Sequence, residues 1–391
     1  MKELSRLLSG VPGSITLAVS DKAGALKAAG HDIIALAGGD PDFDTPHHII
    51  QAAFAAIEDG ATHYPSPMKG IPGAMEAIAV KMERDNGIKL NPKTDIIVTP
   101  GAKWALNLAL AAVTNPGDEI IYLEPVWVSY PPMITLVGGV PVPVSLSSED
   151  NFTITEASLR EKITPKTKAL MVNSPCNPTG RVLTDDEVAA IVNVVTENDL
   201  YVIADEIYEY LVFDGRKNPS LASQPGMANR TITINGLSKA YAMTGWRLGW
   251  IAGPTDVIKL ANKMNSQTVS SAANFTMHAT VAALNGPQDC VIEMRDSYQQ
   301  RRDFMVKALN EIEGVDCRSI EGAFYLFPSF PGSDKNSLEL ADWLLEKAGI
   351  AGTPGIGFGD AGEGHVRFSI ATAMKDLERA VERLAKAAPE M

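Results

Sequence analysis

The chain has 391 residues, of which 45% are hydrophobic and 21% charged. This exceeds what one core usually organises, so two domains are expected. The formal net charge of −13 argues against a nucleic-acid or anionic-membrane partner. The opening residues carry Glu3 and Arg6 and lack the apolar run of a secretory signal. No apolar stretch is long enough to span a bilayer. Cys176, Cys290 and Cys317 are too far apart for a disulfide framework or a metal knuckle, and the six histidines form no HExxH pattern. A cytoplasmic protein that needs no metal is the expectation.

In chain order, His47 and His48 open a surface helix. β-rich runs then alternate with helical patterns. Strands are expected at 96–99, 119–123, 169–173, 201–205, 231–235 and 249–252, with helices at 102–113, 129–137, 185–197 and 254–266 between them. Thr184 followed three positions later by Glu187 marks the start of the third helix. Such alternation implies a mainly parallel sheet covered on both faces. Beyond residue 290 come a long charged helix at 291–312, a compact segment at 322–328 and a Gly-rich loop at 353–364. A short run at 366–370 and a terminal helix at 374–387 complete the chain. The expected division is a large domain over 46–290 and a small domain over 291–391 that also takes in residues 1–45.

Ligands of open parallel sheets bind beyond the carboxyl ends of the strands, and chemically suggestive residues gather there. The first strand runs into Pro100, Gly101, Ala102 and Lys103 at a helix start, where backbone N–H groups favour an anion. Such turns are also common without any ligand. The 201–205 strand ends in Asp205, Glu206, Ile207 and Tyr208. The next ends in Gly236, Leu237, Ser238 and Lys239, followed by Met243 to Arg247. Asn173 to Gly180 forms a proline-stiffened turn that can hold Asn177 in place. A nicotinamide dehydrogenase would need GxGxxG between a first strand and helix, but Gly355, Gly357 and Gly359 come late in a loop; no GxxxxGK[ST] is present. A regulator with a separate DNA-binding module has no room for that module.

Together with Gly39 to Phe43, Tyr64 and Gly70, Pro125 to Tyr130 and Arg367 to Ser369, this ordered set resembles the class I aminotransferases of the fold-type I pyridoxal-phosphate superfamily, in particular the bacterial aspartate aminotransferase branch. The resemblance runs from about residue 30 to 385 and implies an α/β fold. Its large domain would carry a mainly parallel seven-stranded sheet, beside a smaller α/β domain. It further implies pyridoxal 5′-phosphate as cofactor, amino-acid and 2-oxo-acid substrates, and a homodimer with shared sites. By that resemblance Lys239 holds the cofactor aldehyde and moves the substrate proton, Asp205 pairs with the ring nitrogen, and Tyr208 and Asn177 bond the ring oxygen. Trp127 stacks on the ring. Arg247 and the amides of Gly101 and Ala102 bind the phosphate, with Tyr64 reaching it from a second subunit, and Ser238 also binds the cofactor. Arg367 clamps the substrate α-carboxylate, supported by Gly39 and Asn177. Lys103, near the cofactor, reads a distal carboxylate over which Ser14 and Thr16 close. Aspartate and 2-oxoglutarate are the implied pair, with prephenate, aromatic or alanine transamination or β-lyase chemistry as alternatives. Three departures stand out: Gly236 where many relatives have a phosphate-binding serine, Cys176 for a frequent asparagine, and Gly73, Ala74 and Met75 in place of an acidic, Leu, Arg stretch.

Overall fold

The computed structural model describes residues 2–391. Its strands in chain order are β1 (Ile34–Ala35), β2 (Ile96–Thr99), β3 (Glu119–Glu124), β4 (Val140–Ser145), β5 (Thr167–Asn173), β6 (Tyr201–Asp205), β7 (Thr231–Gly236), β8 (Gly249–Ala252), β9 (Tyr325–Leu326), β10 (Ile350–Ala351), β11 (Thr353–Pro354) and β12 (Val366–Ser369). Seven of them form the main sheet in the order β2-β8-β7-β6-β5-β3-β4. Every neighbouring pair is parallel except those made by β8, which runs against both β2 and β7.

Alternate residues of the strands serve two separate cores, which is why the strands read as nearly continuous apolar runs. Ile120, Met171, Ile203 and Ile234 pack with Leu106 and Ala109 of the helix Ala102–Val113. Ile121, Val172, Val202 and Ala204 face the opposite side and pack with Ile191 and Val195 of the helix Asp185–Glu197. That second helix begins as its sequence requires. Thr184 Oγ1 accepts from Glu187 N, and Glu187 Oε2 accepts from Thr184 N at 2.9 Å.

β4 has no counterpart among the strands expected from the sequence, because Pro141 and Pro143 argue against a sheet position. The strand lies at the sheet edge. Val140 N donates inward to Asp118 O, so the two prolines, of opposite parity, turn their missing N–H positions to the free side. Two helices beside the sheet, Pro72–Asn86 and Asn274–Asn285, were likewise not anticipated. They pack on each other and on β2 through Met75, Ile78, Val98 and Met277.

The remaining core joins the long helix Asp289–Asn310, the terminal helix Met374–Ala387 and the three-stranded antiparallel sheet β11-β12-β9. The expected Gly-rich loop contributes β11 and then two short 3₁₀ turns. β1 pairs with β10, which brings the chain before Gly39 against the last third of the sequence. Among the described residues no helix is long and apolar enough to cross a membrane.

Candidate active site

The carboxyl ends of β2, β5, β6 and β7 converge on one cavity of about 370 Å³, closed on its other side by residues 37–40, Tyr325 and Arg367. At its β2 corner Gly101 has φ +90°, and a Cβ there would come within 2.5 Å of Arg247 Nη2. Only glycine permits both the backbone turn and the approach of the guanidinium. No side chain caps the helix Ala102–Val113, so its first N–H groups and Arg247 define an anion site. Arg247 is itself left-handed at φ 51° and donates from Nη1 to Thr244 O at 2.8 Å.

The opposite corner is carboxylate chemistry. Asp205 is buried at the end of β6; Tyr130 donates to its Oδ2 at 2.7 Å and Ile207 N to its Oδ1 at 3.2 Å. Burial pushes this carboxyl up to about 6 even though both hydrogen bonds favour its ionised form. A cation placed against it would restore the charge. Between the two corners, Lys239 Nζ donates to Gly39 O at 2.6 Å and lies 5.8 Å from the Tyr208 ring centre. Burial lowers this amine to about 8, with Arg367 and Arg247 adding to the effect and Asp40 opposing it. A substantial neutral fraction at ordinary pH makes it a nucleophile and a base.

Arg367, on β12, is fully enclosed. It donates to Asn177 Oδ1 at 2.9 Å and Ala37 O at 2.7 Å, and lies 4.3 Å over the Tyr325 ring. Its Nε has no partner, and burial lowers its pKa. Asn177 is fixed in turn by Asn173, whose Oδ1 accepts from Asn177 N at 2.9 Å. Lys103 Nζ rests 4.7 Å over the Trp127 ring; burial and then Arg247 lower its pKa. An anion at one end, an amine-reactive centre in the middle and a basic nitrogen at the other end describe the shape and charge of pyridoxal phosphate. The donor set fits that group.

Gly39, Ala102, Lys103, Trp127, Asn177, Asp205, Tyr208, Ser238, Lys239, Arg247, Thr16 and Arg367 all line the cavity. Gly101 borders it through Arg247. Ser14 does not line it: it precedes the helix Ile15–Ala28 and bonds Thr16 across 2.8 Å. Tyr64 lies outside, on the surface and 80% exposed. Sequence reasoning assigned no role to Tyr130, Asn173, Tyr325 or Asp40. Asp40, Tyr130 and Asn173 stood within recognised motifs, but only the tertiary structure shows what they touch. At the departure Gly236, a Cβ would meet Leu248 O at 2.9 Å and Gly249 Cα at 3.0 Å, so the backbone entering β8 leaves little room there for a side chain.

Known proteins agree with this architecture over nearly the whole length. The sequence pattern of "Aminotransferase class I and II" matches residues 31–384. The chain is 42% identical over 390 residues to an aspartate aminotransferase of Geobacillus stearothermophilus, covering 98% of each. It is 42% identical over 396 residues to an aspartate/prephenate aminotransferase of Cereibacter sphaeroides, again with 98% of each covered. Among solved structures, the Thermus thermophilus aspartate aminotransferase with maleate superposes with a TM-score of 0.93 at 41% identity, over 99% of this chain and 100% of that one. With sheet, cavity and sequence in agreement, the chain belongs to the class I and II aminotransferases and is a pyridoxal-phosphate-dependent enzyme of fold type I that moves amino groups between amino acids and 2-oxo acids.

Proposed function

We propose that the enzyme transaminates dicarboxylic amino acids, with L-aspartate and 2-oxoglutarate as its pair, by ping-pong turnover. The observation that carries this reading is the presence of two cations without carboxylate partners in one cavity, Arg367 buried at one end and Lys103 more exposed at the other. Arg367 has only neutral hydrogen-bond acceptors, and Lys103 sees burial and another cation but no acid. A ligand with two carboxylates compensates both. The planar guanidinium of Arg367 suits the α-carboxylate, which it can meet with paired hydrogen bonds. Lys103 then takes the distal one, beneath Thr16 of the N-terminal helix. Prephenate, also a dicarboxylate, fits the same pair of cations and appears in the name of one relative.

The remaining roles follow from position. Bound pyridoxal phosphate supplies the aldehyde that captures amines and a ring that spreads the electrons released at the substrate Cα. Gly101, Ala102, Ser238 and Arg247 would hold its phosphate, Trp127 would cover its ring, Asp205 would pair with its nitrogen, and Tyr208 and Asn177 would bond its oxygen. Lys239 would hold the cofactor at rest and, once freed by a substrate amine, would serve as the base for the proton at the substrate Cα. Gly39, whose carbonyl already accepts from Lys239, lines the substrate side. Residues 46–290 would form the cofactor domain and 291–391 with 1–45 the domain that closes over it.

The specificity is tested by Lys103→Ala. A hydrogen bond to a charged group contributes about 1.5–3 kcal/mol. Loss of the cation should therefore lower kcat/KM for aspartate by roughly 10- to 150-fold. Alanine and aromatic donors should fall far less. Equal losses for aspartate and alanine, or a wild-type enzyme indifferent to dicarboxylates, would end the assignment.

A two-fold homodimer is part of the same proposal. Tyr64 is too exposed to serve its own cavity, and Phe54, Ile57 and Met68 nearby also carry exposed apolar surface. Sedimentation of the holoenzyme should give a dimer, and Tyr64→Phe should weaken cofactor retention. A fully active monomer contradicts this arrangement.

A further inference from the structure

On the side of the Asp205–Tyr208 turn facing away from the cavity, a group of polar side chains is sealed inside the protein. Lys81 is fully buried and Glu206 is 2% exposed. Lys81, on the helix Pro72–Asn86, pairs with Glu209 and donates to Asn86 Oδ1 at 2.6 Å. Asn86 Nδ2 donates to Glu206 Oε2 at 3.0 Å and to Glu209 Oε2 at 2.7 Å, while Ser220 Oγ donates to Glu206 Oε1 at 2.7 Å. Burying a charged pair carries a large desolvation penalty, and apolar side chains of like volume often stabilise as well or better. Stability alone does not account for such a cluster.

Its position does. Glu206 and Glu209 interleave with Asp205 and Tyr208, the two residues at the ring end of the cavity. Adjacent residues point to opposite sides of the extended chain, so the Glu206 side chain is gripped from behind while Asp205 projects forward. The backbone is held as well: Glu206 N donates to Ile234 O and Glu209 N to Glu206 O, both at 2.9 Å. We propose that Glu206, held by Asn86, Ser220 and the Lys81–Glu209 pair, is a positioning residue that fixes the direction of the Asp205 carboxylate toward the cofactor ring. The inference rests on the reading that Asp205 faces the ring nitrogen. Burial, and next the Glu209 carboxylate, push the Glu206 acid up to about 8. At neutral pH Glu206 is therefore mainly uncharged, the bond to Ser220 then running from the Glu206 Oε1 hydroxyl to Ser220 Oγ, and it adds no second negative charge beside Asp205. Its contribution is hydrogen bonding, which glutamine can reproduce.

The readout is the apoenzyme's preference for pyridoxal phosphate over the carbocyclic analogue in which C–H replaces the ring nitrogen. Only the former can engage Asp205 through that nitrogen. Glu206→Ala should narrow the preference by about tenfold, the scale of a misaligned charged hydrogen bond. Affinity for the analogue should stay within about twofold, below one typical hydrogen bond. Glu206→Gln should restore most of the preference. If Glu206→Ala does not fold, Asn86→Ala removes the bridge and is read the same way. A preference unchanged in the alanine variant, equal losses for both ligands, or a glutamine variant no better than alanine each overturns the network. Asp205→Ala separates the two claims. A preference that survives it refutes the ring-partner assignment and the network with it. A preference lost there but kept in Glu206→Ala refutes the network alone.

Discussion

Replacing Lys239 by alanine is expected to abolish practical turnover, with a loss on the order of 10²–10⁴ from acid–base catalysis alone. The covalent hold on the cofactor goes as well, so the visible absorbance of the purified holoenzyme should change with it. The wild-type amine also carries a pH signature. Burial places it at about 8 rather than 10.5, so at pH 7 about one amine in ten is neutral. Only the neutral form attacks an aldehyde. Capture of pyridoxal phosphate by the apoenzyme should accelerate as pH rises toward 8 and level off above it. Stopped-flow absorbance gives the profile. A flat profile between pH 6 and 10, or wild-type activity in Lys239→Ala, rejects the assignment.

Truncating Asp205 to alanine should slow turnover about 10²–10⁴-fold, because removing one partner of a buried charge pair costs about 3–5 kcal/mol and each 1.4 kcal/mol is tenfold in rate. A loss below tenfold with cofactor still bound excludes Asp205 as the ring partner. The empty cavity should respond in the opposite direction. Without cofactor the folded protein holds this carboxyl at about 6 against an ordinary 3.8. A raised carboxyl contributes stability that is present below 3.8 and lost as pH rises through about 6. Neutralising it in Asp205→Asn should therefore stabilise the apoenzyme at pH 7 by about 3 kcal/mol, and leave it unchanged near pH 3. Denaturant titration of both apo forms checks this. The site thus keeps a charge that is unfavourable until its ligand arrives.

Elements with strong local signals were legible before folding. β2, β6 and β8 and the helices Ala102–Val113, Asp185–Glu197 and Met374–Ala387 fall on the expected residues, because apolar periodicity, caps and chain breaks are written within a few residues of one another. The motifs also marked Lys239, Asp205, Arg247 and Arg367 as a set. Tertiary structure decided what local patterns cannot carry. Edge position decided that a strand with two prolines is tolerated at Val140–Ser145. Pro72–Asn86 did carry local signals, a proline at its first position and a left-handed Gly87 after its end, but its packing on β2 and on Asn274–Asn285 is what fixes both helices in place. The order of the main sheet brought Tyr130 to Asp205, the packing of the three-stranded sheet against it brought Tyr325 to Tyr208, and the pairing of β1 with β10 set Ala37 against Arg367 and Gly39 beside Lys239. Such contacts join residues far apart in the chain, so their hydrogen-bond partners are fixed only when the fold closes. The same closure turns a lysine and a carboxylate into groups with shifted pKa values, since desolvation is a property of the assembled cavity and not of the residues that line it.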